Sequence, residues 1–280
     1  MPSRSTPSVR NRRIGMELKK LRDERNMTLE TAATRIVLRS NGWLSNVENG
    51  YGIGGDELED VLDRYGVEDQ SFRMALVELA RVDRKRGWWH RHTHDLAPAA
   101  MDFISLEADC RSARTYEVLA VPGLLQTPAY ANAMITLEPE ARRRAVEIRM
   151  ARQRIFDDPM TPDFDVLLNE AVLHQRLGGP EVTYGQLGHL LHTSERPGSN
   201  LRIVPAEPSN PYGLMGAFTL LVIGQAYRLT VGMVESPMGM TYVERLDKVR
   251  RLEERFERLR ETALSNRDSL ALIKQIRSKA

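Results

Sequence analysis

The stretch Thr28-Leu-Glu-Thr-Ala-Ala-Thr-Arg-Ile-Val-Leu-Arg-Ser-Asn-Gly-Trp-Leu-Ser-Asn-Val-Glu-Asn-Gly50 decides how this chain reads. Thr28 is placed to N-cap a helix over 29–37, with Ala32, Ala33 and Ile36 inward. Leu38-Arg39-Ser40-Asn41 is a short polar turn. A further helix is expected over 41–48, with Leu44 and Val47 on its apolar side, and Asn49-Gly50 supplies a left-handed stop. Upstream, Ile14, Leu18 and Leu21 fall at i, i+4 and i+7 and predict a helix over 12–25. Downstream come a glycine-rich loop, Tyr51-Gly-Ile-Gly-Gly55, then helices over 56–65 and 71–86.

Three short helices with a tight turn between the second and third follow the helix-turn-helix plan. In that plan the second helix braces the third, whose N-terminal end enters a DNA major groove. The candidate contacts there are Arg39, Ser40, Asn41, Trp43 and Asn46. Asn41 has the amide needed for bidentate pairing with adenine, and Arg39 the fork for guanine or phosphate. Lys19, Lys20 and Asn49 are candidate phosphate contacts, which add affinity without sequence information.

The net charge of the 280 residues is only +2, which by itself argues against nucleic acid. Its distribution argues otherwise. Residues 1–39 hold ten Lys/Arg against four acids, a balance of +6, and residues 40–66 hold one base against six acids, a balance of −5. The mean hides a charge split within the first 66 residues. The single cysteine, Cys110, excludes an internal disulfide framework and a four-cysteine zinc site and fits a reducing compartment. The longest apolar run, near 217–223, falls well short of the ~20 residues a membrane helix needs. The basic N-terminus has no apolar stretch behind it and does not read as a secretory signal. A cytoplasmic protein is expected.

Leu44-Ser-Asn-Val-Glu-Asn-Gly50, with Leu18-x-x-Leu21-Arg22 and Thr28-x-x-x-Ala32-Ala33, resembles the Cro/cI-type (XRE-family) regulators over about residues 12–65. The resemblance implies a structural ion pair between Arg22 and Glu48, tying the first helix to the third. Further segments resemble one actinobacterial group of such regulators. They are Gly87-Trp-Trp-His90, Leu106-Glu-Ala, Arg114-Thr-Tyr116, Val121-Pro-Gly-Leu-Leu-Gln-Thr127, Arg149-x-Ala-Arg-Gln-Arg154, Asn169-Glu-Ala-Val-Leu173, Gly178-Gly-Pro180 and Leu264-Ser-x-x-x-Ser269-Leu. That group is developmental or toxin–antitoxin-like, and the likeness implies a large C-terminal domain and a small partner protein encoded nearby. This chain departs from the pattern in places. Thr31 stands where relatives carry Glu, Leu29 replaces an amide, Gly42 lacks a reading side chain, the turn over 37–41 is one residue longer than usual, and the 51–55 loop has no basic residue.

Four segments are expected: a disordered basic arm (1–11), a helix-turn-helix domain (12–66), a connecting helix with a tryptophan-containing linker (67–98), and an α+β domain (99–280). In the last, strands are expected over 115–121, 164–168, 201–205, 218–223 and 227–234, forming a small mixed or antiparallel sheet. Helices are expected over 99–108, 128–135, 138–156, 171–177, 183–194, 242–264 and 268–278. The fold class is thus an all-α head followed by a larger α+β domain.

Other constellations are weaker. His90-x-His92-x-His94 would share one side of an extended segment and suit zinc, against the plainer reading of a polar linker. His189 and His192 read as a solvated helix face, and Cys110 as a packed thiol. Glu170, Asp163 and Asp165 read as a strand end and helix start. Met215, Met233, Met238 and Met240 read as core and loop packing, or as an adaptable partner surface. No P-loop, G-x-S-x-G or HExxH pattern occurs. The expectation is a sequence-specific DNA-binding regulator: not an enzyme, with no cofactor or metal, acting as a homodimer on double-stranded DNA. The alternatives are an antitoxin-like protein that neutralises a small partner, or an enzyme domain on a DNA-binding head.

Overall fold

The computed structural model describes residues 7–82, 87–157, 162–206, 211–214, 216–224, 229–236 and 238–280. The chain separates into two compact units. The first holds the chain up to Arg91, with Pro98–Ser105 and Gly224–Leu229. The second holds His92–Ala97, Leu106–Ile223 and Thr230–Ala280.

The first unit begins earlier than expected. Helix α1 (Val9–Glu24) is capped by Ser8, whose Oγ accepts from the Asn11 N–H at 3.2 Å. The expected arm over 1–11 is therefore corrected at its C-terminal end; residues 1–6 lie outside the described residues. The reason is burial. Val9 is fully buried and its N–H donates to the Asp102 carboxylate at 2.8 Å. Arg10, only 1% exposed, donates to the Ser105 hydroxyl at 2.7 Å and to the Ser105 carbonyl at 3.0 Å.

Helix α2 (Leu29–Thr31) starts at Thr28, whose Oγ1 accepts from the Thr31 N–H at 3.1 Å. With Thr in place of Glu at 31, the two hydroxyls bond each other at 2.9 Å. α2 runs into a π-helical stretch, Ala32–Val37, which ends at Leu38 with φ 56°. A π turn holds one residue more than an α turn, so the surplus residue of the long turn is taken up here. Helix α3 (Asn41–Glu48) follows, and Gly50 at φ 86° closes it. α1 and α3 cross at Gly15, where a Cβ would sit 2.4 Å from the Val47 carbonyl oxygen. Helix α4 (Gly55–Arg64) buries Leu58, Val61 and Leu62.

Helix α5 (Gln70–Val82) was expected as a connector. It is instead part of the head: Ala75, Leu76, Val77, Leu79 and Ala80 are buried, and it packs on α1 and α4. Its apolar side is as continuous as that of α4, which is why it stays with them. The remainder of the expected helix, residues 83–86, lies outside the described residues. Trp88–His92 forms a 3₁₀ turn. Trp89 is buried with its ring against Gly87, where a Cβ would lie 2.2 Å from it. Helix α6 (Pro98–Ala108) contributes its residues through Ser105 to the first unit, so the boundary falls within this helix and not before it.

The second unit is α+β. Its elements are β1 (Cys110–Glu117), α7 (Pro128–Met134), α8 (Pro139–Arg152), β2 (Asp163–Asn169), α9 (Pro180–Thr193), β3 (Ser199–Val204), β4 (Phe218–Ile223), β5 (Leu229–Ser236), β6 (Gly239–Val243), α10 (Leu246–Thr262) and α11 (Asn266–Arg277). Among the described residues the strands form one mixed sheet in the order β3-β2-β1-β4-β5-β6. β1 pairs parallel with β2 and antiparallel with β4, β2 parallel with β3, and β5 antiparallel with β6.

One sheet face packs Tyr116, Leu167, Val204, Phe218 and Leu220 against Val249, Phe256 and Leu259 of α10. α11 packs on α9 and β3, and its Ser269 hydroxyl accepts from the Ile203 N–H at 2.9 Å.

Several boundaries are corrected. β1 starts at Cys110 and not 115, because Cys110-Arg-Ser-Ala-Arg114 carries polar residues that hide a central strand. Residues 242–243 belong to β6 and not to a helix, paired with Gly232 and Met233. Glu170–His174 is a 3₁₀ turn in place of the helix over 171–177. Gln153–Asp157 is likewise a 3₁₀ turn continuing α8. No helix among the described residues is long and apolar enough to cross a membrane.

Candidate nucleic-acid interface

Of the site candidates, Arg39, Ser40, Asn41 and Trp43 stand at the N-terminal end of α3, Asn46 and Asn49 lie further along it, and Lys19 and Lys20 lie on α1. Ser40, extended at φ −71° and ψ 153°, uses its Oγ to accept from the Trp43 N–H at 3.2 Å. Its lone pair therefore serves the cap. Asn41 is exposed and has no side-chain hydrogen bond among the described residues. Gly42 beside it faces open space, with no atom within 4 Å of a Cβ built there. Arg39 is exposed but held: its Nη2 lies 2.8 Å from Glu57 Oε1 of α4, and its guanidinium carbon sits 5.8 Å from the Trp43 ring centroid. Trp43 is half-buried under it. Asn46 is half-buried, and its carbonyl accepts from the Tyr51 N–H at 2.9 Å. Asn49 is exposed at the far end of α3, with Nδ2 donating to the Ser45 carbonyl at 2.7 Å.

α3 is tied to α1 by Arg22 and Glu48. Arg22 Nε lies 2.7 Å from Glu48 Oε1, and Nη2 lies 3.0 Å from Oε2, a bidentate pair. The two side chains are 12% and 6% exposed. Arg22 Nη1 also meets Asp23 at 2.8 Å and the Met27 carbonyl at 2.9 Å. The hydrogen bond to Glu48 raises the Arg22 pKa, against burial, which lowers it.

The structure thins the basic footprint read from residues 1–39. Arg10 and Arg13 are buried, the latter paired with Glu17 at 2.7 Å. Lys20 sits 3.7 Å from Glu24, and Arg39 is engaged as above. Lys19 and Arg35 are exposed and without an ion-pair partner among the described residues. Glu57 was missed by the sequence reading: it stands 18 residues from Arg39, a spacing that carries no local signal.

The other candidates resolve simply. His90, His92 and His94 do not lie on an extended segment, because the 3₁₀ turn through residue 92 rotates successive side chains apart. Among the described residues no group of three His, Cys, Asp or Glu is placed to hold a metal. Cys110 is buried, and burial, with Glu107 and Asp109 adding to it, pushes its thiol up to about 12. His189 is half-buried in α9 with a buried Nε2, not solvated as expected. Asp165 accepts from Asn200 at 3.0 Å and Glu170 from the Ala206 N–H at 3.1 Å. Met233 is buried in the sheet and Met238 fully out in the β5–β6 turn, while Met215 lies outside the described residues.

The molecule is thus an all-α head followed by an α+β domain built on a six-stranded mixed sheet. Residues 100–275 match the family described as a domain of unknown function, DUF5753, and the chain belongs to that family. No curated protein matches the chain, and no solved structure matches it.

Proposed function

We propose that the chain is a sequence-specific DNA-binding transcriptional regulator of the Cro/cI helix-turn-helix type, acting in the cytoplasm. The observation that carries the reading is the end of α3: a capped, braced helix start presenting Arg39, the unbonded Asn41 and the open face at Gly42. A helix presented this way fits a major groove, with Asn41 toward base edges and Lys19, Lys20 and Asn49 toward phosphates. With Arg10 and Arg13 buried, one head offers few phosphate contacts. A homodimer on a palindromic site, with half-sites about 34 Å apart, makes up the deficit.

Selection of duplexes from a randomised pool by the full-length chain tests this. The expected product is a palindrome with half-sites one helical turn apart. Asn41→Ala then relaxes one base pair per half-site at a cost of roughly 1–3 kcal/mol. Failure to enrich any motif refutes the reading. A second reading is favoured by Leu119, Leu214 and Met238, which are 73%, 80% and 96% exposed in the second unit: that unit docks a small protein partner, antitoxin-like, with DNA binding secondary. DNA retention only in the presence of a co-purifying partner supports it over the first.

A further inference from the structure

Arg39 is fixed at both ends and across its plane. Its N–H donates to the Ala33 carbonyl at 3.0 Å, just after the left-handed Leu38 at φ 56°. At the far end its Nη2 donates to Glu57 Oε1 at 2.8 Å. The guanidinium carbon lies 5.8 Å from the Trp43 ring centroid, within cation–π range. Trp43 is held in turn by the bond from its own N–H to the Ser40 hydroxyl at 3.2 Å. Glu57 stands in the first turn of α4, where the helix dipole favours a carboxylate. Among the described residues, Arg39 Nε and Nη1 make no hydrogen bond. Nη2 carries two hydrogens and gives one to Glu57, so two adjacent donors remain for a second partner.

The pair does little for the fold. The Arg39 and Glu57 side chains are 55% and 36% exposed, and an ion pair this open to water adds little stability. Its effect is on what Arg39 can bind. A carboxylate beside the guanidinium offsets the attraction of that group for an anionic phosphate. The donors left on the same group still bond O6 and N7 of guanine, which are uncharged acceptors. Phosphate contacts depend on net charge, whereas base-edge contacts depend on donors held in a fixed plane. Glu57 weakens the first, and Glu57 with Trp43 supplies the second.

We infer that Glu57 is a positioning residue that makes Arg39 a reader of guanine and not a phosphate contact. The inference rests on the DNA reading above and deepens it: each half-site then carries a G·C pair opposite the start of α3, read in the major groove. An acid beside a DNA-reading helix costs affinity, and the specificity it confers accounts for its place there. All the residues concerned lie within the first unit.

The test selects duplexes from a randomised pool with the full-length chain. It then measures the affinities of the native chain, Glu57→Gln and Arg39→Ala for the selected duplex and its single-base variants over a range of salt. The native chain should prefer G·C at one position of each half-site about tenfold or more over the other pairs. Arg39→Ala should erase that preference and leave the other positions unchanged. Glu57→Gln keeps an amide oxygen for Nη2 and drops the charge. It should tighten unrelated duplexes about threefold, steepen the salt dependence by about one power of salt concentration per head, and cut the guanine preference about threefold or more. Replacing the guanine by 7-deazaguanine, which lacks N7, should weaken the native chain about fivefold and Arg39→Ala not at all. This arm needs no variant of Glu57. A selected motif without such a guanine, a uniform loss for every duplex in Arg39→Ala, or a guanine preference unchanged in Glu57→Gln overturns the inference and leaves the DNA reading intact. A uniform loss for every duplex in Glu57→Gln marks the pair as a brace between α3 and α4 and also overturns it. Enrichment of no motif overturns both.

Discussion

Replacing Glu48 by alanine removes both bonds that tie α3 to α1, the 2.7 Å and 3.0 Å contacts to Arg22. Breaking a buried ion pair from one side typically costs about 3–5 kcal/mol, because the partner is left charged and uncompensated. Here Arg22 keeps the Met27 carbonyl at 2.9 Å and the half-exposed Asp23 carboxylate at 2.8 Å, so the penalty should fall to about 2–3 kcal/mol. For a head of this size that corresponds to a fall of roughly 10–20 °C in its melting temperature. Urea denaturation of the full-length chain, followed by tryptophan fluorescence, reads it directly, since Trp43, Trp88 and Trp89 all lie in the first unit. The control is the double variant Arg22→Met with Glu48→Leu, which removes both charges and fills the site. It should recover all but about 1 kcal/mol, as apolar replacements of buried pairs commonly do. A loss under about 0.5 kcal/mol for Glu48→Ala, or strictly additive losses in the double variant, refutes the view that this pair braces α3.

Other outcomes follow from the same packing. Gly42→Ala should stabilise the head by about 0.5–1 kcal/mol, because its Cβ meets nothing within 4 Å and alanine restricts the unfolded chain. Gly15→Ala should destabilise it by about 1–3 kcal/mol, since its Cβ would press the Val47 carbonyl at 2.4 Å; equal melting temperatures for these two variants would contradict the α1–α3 crossing. Glu117→Gln should flatten the dependence of stability on pH. Burial raises the folded carboxyl from its ordinary 4.5 to about 8. Below 4.5 both states hold the proton and nothing is lost, while between 4.5 and 8 the unfolded state ionises first and stability falls. The shift caps the effect at roughly 5 kcal/mol, and about half of that is expected for a side chain partly open to water. Denaturation at pH 5 and pH 8 checks it: a gain at pH 8 no larger than at pH 5 would be inconsistent with a buried protonated Glu117.

Local information was enough for the head's helices and for the class of the fold. The apolar spacing of Ile14 and Leu18, the hydroxyls of Thr28 and Ser40, and Gly50 at a positive φ act over a few residues, so periodicity and capping reveal them. The same holds for the short β-branched and leucine-rich runs at β2, β3 and β4. Tertiary structure alone decided which polar residues are spent. Arg10 reads as part of a basic arm, yet it is buried through Ser105, 95 residues away. Arg39 reads as a free base reader, yet Glu57 holds it. The strand at Cys110-Arg-Ser-Ala-Arg114 looks polar until β2 and β4 flank it. In each case a charge's environment is set by atoms brought from far along the sequence, and neither periodicity nor composition records that distance.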